Sequence, residues 1–169
     1  MEAIYQRLVA LGEPSIHVVE MTEDAFHTWH TNLRSTVPQA VVRVLQGKQL
    51  STRDTFFAHF AVAFQFPHYF GNNWDAFNDC IHDLYRSGKS HVLLVSGAAR
   101  LLTDRTHDDL RHLLEILQSH HQEWSESVGD TTDSQSTFHV VLQEDHQGFT
   151  TLTDRLTALG IAYEVLTPA

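Results

Sequence analysis

Three carboxylates stand at regular spacing: Asp75, Asp79 and Asp83, each four residues from the next. On a helix they share one face. Like charges at i and i+4 destabilise an isolated helix by about 0.2–0.5 kcal/mol per pair, and Asp is an indifferent helix former. Asp75, in the first turn, gains from the helix dipole, whereas Asp79 and Asp83 lie too far along. No Lys or Arg falls at helical spacing to neutralise Asp75 or Asp79, and Arg86 reaches only Asp83. Fold stability gives no reason for this ridge. It is either a solvated acidic face or a surface for a cationic partner. A catalytic carboxylate pair is the third chemistry to weigh, but such a pair sits in a cleft that drives its pKa values apart. A convex helix supplies no cleft, and no G-x-S-x-G nucleophile motif is present, so no enzyme is expected.

The thirteen histidines raise the question of metal. His107 with His112 and His120 with His121 are the closest clusters, and neither has the i, i+4 spacing of two ligands on one helix face, nor a Cys pair nearby. They read as solvated histidines, with no metal and no cofactor. His91 and His139 read as polar residues opening strands. Cys80, the single cysteine, reads as a small buried hydrophobe rather than a reactive thiol.

The elements that position the acidic ridge are a turn and a helix. Pro67 ends a preceding helix and biases Phe66 towards extended backbone. Gly71 suits the positive φ of a sharp reversal. Asn73 is a favoured N-cap. Beyond it, Trp74, Phe77, Ile81 and Leu84 form an apolar stripe at helical spacing, with the acids roughly opposite Phe77.

The run Tyr69-Phe70-Gly71-Asn72-Asn73-Trp74-Asp75-Ala76-Phe77-Asn78-Asp79-Cys80-Ile81 resembles the signature of the barstar family, the small protein inhibitors of barnase-type secreted ribonucleases. More loosely, as an order of elements, the resemblance extends from about Ala40 to about Gln143 and leaves residues 1–36 and 147–169 outside. It implies a non-enzymatic inhibitor that binds a basic ribonuclease 1:1, with the acidic helix plugging the active site and mimicking RNA phosphate. Carried over, Asp79 is the central anion and Asp75 supplements it. Tyr69 and Gly71 lie along the mouth of the cleft, with Asn73 and Trp74 at its edge, and Phe70 and Asn78 complete the expected partner-binding set. Asn78 stands where known inhibitors carry a large aromatic. Glu115 is the nearest counterpart of the family's acid on the later long helix, about one position off register, and Leu84-Tyr85-Arg86 replaces a Trp-rich helix end. The alternative is a protein-interaction module with a barstar-like core and a different basic partner.

Composition agrees with a cationic protein partner. With 21 Asp and Glu against 11 Lys and Arg, the net charge of −10 disfavours nucleic acid and anionic membranes. At 169 residues one domain is the default. One cysteine excludes an internal disulfide, the first eleven residues lack a signal-peptide pattern, and no stretch approaches 18 apolar residues, which together point to the cytoplasm.

Along the chain, Ala3 to Leu11 suggests a short helix and Ile16 to Met21 a strand. Thr22 then caps a helix carrying Phe26, Trp29, His30 and Leu33, which ends at Val37-Pro38. Ala40 to Leu45 reads as a buried-type strand. Ser51 or Thr52 caps a helix with Phe56, Phe57, Phe60, Ala63 and Phe64 inward. Ser87-Gly88-Lys89-Ser90 is too short for a phosphate loop, lacking the second glycine and a strand leading into it. His91 to Val95 is the most apolar strand and reads as central. Gly97 to Leu102 suggests a short helix. Asp104 or Thr106 starts a longer helix, with Leu110, Leu113, Leu114 and Leu117 buried, running to Trp124. Ser125 to Ser136 reads as a mobile surface loop, Phe138 to Leu142 as a third buried strand, Thr151 to Leu159 as a helix and Ile161 to Leu166 as a last strand.

The expected fold is therefore α/β, a barstar-like three-layer sandwich. A mostly parallel sheet of three core strands is extended by N- and C-terminal strand/helix units.

Overall fold

The structure is a computed structural model that describes residues 1–104, 108–126 and 136–168. Its regular elements are α1 (Glu2–Arg7), β1 (Ile16–Glu20), α2 (Glu23–Thr36), β2 (Val41–Gln46), α3 (Arg53–Phe64), α4 (Trp74–Leu84), β3 (His91–Ser96), α5 (Asp108–Glu126), β4 (Phe138–Glu144), α6 (His146–Ala158) and β5 (Glu164–Leu166). The capping residues read from sequence do cap. Thr22 accepts from the Ala25 amide at 3.3 Å, and Thr52 accepts from the Thr55 amide at 3.1 Å in a reciprocal pair.

The strands lie in the order β2-β3-β4-β1-β5, every neighbouring pair parallel. Parallel pairing demands a crossover between strands, and helices supply it. The N-terminal strand is thus an interior strand, wedged between β4 and β5 rather than added at an end. This makes β4 the middle strand, with all seven residues buried. β3 is central only among the three strands of the expected core. β2, expected to be of buried type, is an edge strand with just Val42 and Leu45 fully buried, because nothing pairs beyond it among the described residues.

Helices cover both faces. α3 to α6 pack on one, around Phe57, Phe60, Phe77, Leu93, Val140 and Leu156. The other is covered by α1 and α2, whose Tyr5, Leu8, Phe26, Trp29 and Leu33 bury Val42, Val92, Leu94 and Val141. Two smaller readings change. The short helix after β3 is a 3-10 turn over Ala98–Arg100. Of the expected loop at 125–136, Ser125 and Glu126 close α5 and Ser136 is buried, while 127–135 lie outside the described residues, as does Thr106.

His139 is not an end-of-strand polar residue at all. It is the second residue of β4 and fully buried, because β1 brings His17 against it. His139 Nε2 donates to the Ala10 carbonyl at 2.9 Å, so its Nδ1 accepts from His17 Nε2 at 3.0 Å. His17 Nδ1 then faces the Glu164 carboxylate at 3.3 Å, with Arg7 at 3.5 Å from the same oxygen. The His121 ring, itself 3.8 Å from Glu13, stacks edge-on to His139. Burial first, then the neighbouring Arg7 and histidines, hold both His17 and His139 well below the ordinary imidazole pKa. Burial likewise lowers His91 to about 4.

A histidine whose pKa is lower in the folded state binds its proton preferentially in the unfolded state. Stability therefore falls as pH drops below about 6.5, by about 1.4 kcal/mol per pH unit for each such group. Urea unfolding midpoints are expected to fall steeply between pH 7.5 and 5.5, and His139→Gln to flatten the slope. A midpoint constant across that range contradicts the buried neutral network.

Candidate functional site

The approach to α4 is built by backbone features that the sequence only partly announces. α3 ends with Gln65 in the left-handed region at φ 56°, and the Phe66 amide closes back onto the Ala61 carbonyl at 2.9 Å. A tight turn follows, the Phe70 amide donating to the Pro67 carbonyl at 2.9 Å. The positive φ expected at Gly71 belongs instead to Asn72, at 50°. Gly71 is needed for space: a Cβ there would lie 2.9 Å from Asn73 Nδ2, which donates to the Gly71 carbonyl. Asn73 Oδ1 accepts from the Ala76 amide at 2.8 Å, so the N-cap forms as read.

α4 is then fixed by its apolar face. Phe77 and Ile81 are fully buried, while Trp74 and Leu84 are half-buried against the same core. Phe56, Phe57 and Phe60 of α3 surround Phe77 at ring-centroid distances of 4.9–6.1 Å. Cys80 is buried, and its thiol pKa is raised by burial and by the adjacent Asp83 and Asp79.

One polar contact pins the start of the helix. Asp109, buried at the start of α5, receives Trp74 Nε1–H at 3.2 Å and the Arg53 guanidinium at 2.6–3.2 Å. The first turns of α3, α4 and α5 meet at this one carboxylate. Arg53→Ala would leave a buried carboxylate holding only the indole, at a cost of about 2 kcal/mol given that Arg53 itself is half-exposed. A urea midpoint unchanged in Arg53→Ala would show that the contact carries no weight.

The sequence-derived residues thus divide. Asp75 and Asp79 are exposed, and no Lys or Arg among the described residues pairs with either. Asp83 lies 4.0 Å from Arg86. Tyr69 is 76% exposed, a large ring left in water beside the ridge. Gly71 and Asn73 are exposed in the turn. Phe70 and Trp74 are half-buried, with ring contacts from Phe70 to Phe57 and Phe66 and from Trp74 to Phe56, Phe57 and Phe77. Asn78 is exposed, but its Oδ1 accepts from His120 Nε2 at 3.0 Å.

Sequence spacing missed a constellation behind the ridge. His82 of α4 meets His120 and Glu123 of α5, their ligand-type atoms all within 4.8 Å of one another. His120 and His121, read as solvated, are buried. A His and a Glu one turn apart at i, i+3 were the available signal, but the third member comes from another helix.

Residues 40–143 match the model of the family described as Barstar (barnase inhibitor), and the chain belongs to that family. The five-stranded α/β sheet is consistent with a barstar-like fold whose sheet is extended beyond β4 by β1 and β5. No curated protein matches the sequence. Among solved structures, the Aeropyrum pernix ORC2 protein in its ADP form is similar over 98% of this chain, at 12% identity and a TM-score of 0.65. The same protein in its ADPNP-ADP complexes is similar over 99%, at 11% identity and a TM-score of 0.60. This chain spans 46% of the length of those chains, and at such identity the likeness is one of fold alone.

Proposed function

We propose that this protein is an inhibitor of a basic, barnase-type ribonuclease, with α4 inserted in the enzyme's active site and Asp79 in the place of an RNA phosphate. The supporting observation is the exposure of Asp75 and Asp79 on a capped, core-anchored helix with no cation of the described chain engaged. A carboxylate held on a rigid helix meets guanidinium groups with its orientation already set, which lowers the cost of association. The net charge of −10 would speed encounter with a cationic enzyme. Tyr69, Phe70, Gly71 and Asn73 would form the turn side of the interface. Asn78 and Trp74 would act more by holding the helix than by touching the partner, given where their side chains are spent.

The fold-level likeness to a nucleotide-bound protein does not favour nucleotide binding here. Phosphate sites on such sheets use a glycine-rich turn from strand to helix N-terminus. β1 instead runs through Met21-Thr22 into α2, whose first turn carries Glu23 and Asp24, and carboxylates there repel phosphate.

The test is a titration of a basic barnase-type ribonuclease with the purified protein. A 1:1 complex on gel filtration and suppressed RNA cleavage are expected. Full cleavage activity at an excess of the protein, across several such nucleases, would reject inhibition and leave a binding module for another basic protein.

A further inference from the structure

The cluster of His82, His120 and Glu123 has the chemistry of a ligand set, and its central member shows an unmet need. Asn78 Oδ1 can only accept, so His120 Nε2 donates to it at 3.0 Å. In a neutral imidazole that leaves the lone pair on Nδ1. Nδ1 is fully enclosed and lacks a hydrogen-bond partner, in a side chain only 6% exposed. It points at Glu123 Oε2, 3.5 Å away, and His82 Nδ1 lies 3.8 Å from the other oxygen of the same carboxylate. Two acceptors, a buried lone pair and a carboxylate, therefore face each other. A metal cation reconciles them without a proton.

We propose that His82, His120 and Glu123 form a site for a late first-row divalent cation of the zinc type, bridging α4 to α5. Two imidazoles and one carboxylate suit zinc rather than magnesium or calcium, and leave a fourth position for water. Ligand bonds of about 2.0–2.1 Å place tetrahedral ligand atoms about 3.3 Å apart, so the His–Glu separations of 3.5 and 3.8 Å, and a set whose ligand atoms lie within 4.8 Å of one another, must draw together by side-chain shifts. The side chains of His82 and Glu123 are 57% and 53% exposed, so that adjustment does not disturb the core. The Asn78 carbonyl plays the part that outer carboxylates and carbonyls play at metal-bound histidines, fixing the tautomer and aiming the ligand nitrogen. The inference is independent of ribonuclease inhibition, since it rests on the inner side of α4 and not on Asp75 or Asp79.

The test is a titration of metal-free, full-length protein with Zn²⁺, followed by calorimetry and by thermal melting, and with Co²⁺, followed by its visible spectrum. One equivalent is expected to bind, with a tetrahedral Co²⁺ spectrum and a rise in melting temperature. His82→Gln and Glu123→Gln, both at exposed positions that the fold tolerates, should each weaken binding by more than about tenfold, the loss that outer-support changes alone produce. Asn78→Ala should fall within about 10–100-fold. His59→Gln, at an exposed histidine outside the cluster, should bind as the parent does. Failure of the parent to bind either ion overturns the assignment. So does binding that survives unchanged in His82→Gln and Glu123→Gln, because it would then belong to other histidines.

Discussion

Asp79→Ala is expected to make the protein more stable and a much poorer ligand. Asp79 sits between Asp75 and Asp83 at i−4 and i+4, so its removal relieves two repulsions of about 0.2–0.5 kcal/mol each. Alanine is also a better helix former by roughly half a kcal/mol. No described contact is lost, since Asp79 is exposed and pairs with no described Lys or Arg. A gain of about 1 kcal/mol follows, a shift of a few degrees in Tm. Binding should move the other way. A centrally placed carboxylate that meets cationic side chains in a desolvated cleft is a hot spot, costing at least about 2 kcal/mol, thirtyfold in Kd, when truncated. Asp75→Ala should show the same signs with a smaller loss. Calorimetric binding to the ribonuclease and a melting curve on the same sample decide the matter. Unchanged affinity in Asp79→Ala would remove the central anion from the proposal, and a destabilised variant would mean that the side chain has a structural role instead.

That pairing of opposite effects explains why the ridge was legible from sequence. Asp75, Asp79 and Asp83 violate a local rule of helix stability, and the violation shows in spacing alone. The caps at Thr22, Thr52 and Asn73 were legible for the converse reason: each is a polar side chain placed just before an apolar helical pattern, and each bonds within three residues. Features set by long-range packing were not. Nothing local to Ile16–Glu20 says that it enters between β4 and β5, so the burial of His17 and His139 could not be foreseen. His82 meets His120 only because Phe77 and Ile81 dock α4 beside α5. A glycine before an N-cap suits a positive φ by its type, but Gly71 is needed for room beside the Asn73 side chain, which only the packing of the turn decides.

The largest stability effect should come from outside the family-matched segment. Residues 40–143 carry the ridge, the turn and three adjacent strands, and so hold every residue of the proposed interface. Yet Val42, Val92, Leu94 and Val141 form a second apolar face on that sheet, and residues 1–37 bury it. Removing those residues strips away Tyr5, Leu8, Val19, Phe26, Trp29 and Leu33, each buried to within 3% exposure. At about 1.5–3 kcal/mol per buried large side chain, the loss is roughly 10–15 kcal/mol, the whole stability of an ordinary domain. The deletion also opens the full length of β4 as an unpaired edge and leaves β5 without its partner β1, an invitation to aggregate. A protein starting at Pro38 should therefore lack a cooperative melting transition and precipitate, although every residue of the acidic helix is present. Trp29→Ala in the full chain, expected to cost about 3–5 kcal/mol, gives the same answer in graded form. Should the truncated protein instead remain monomeric, melt cooperatively and bind ribonuclease, the N-terminal unit would be an accessory. In that case α3 to α6 on the opposite face would hold the ridge in place unaided.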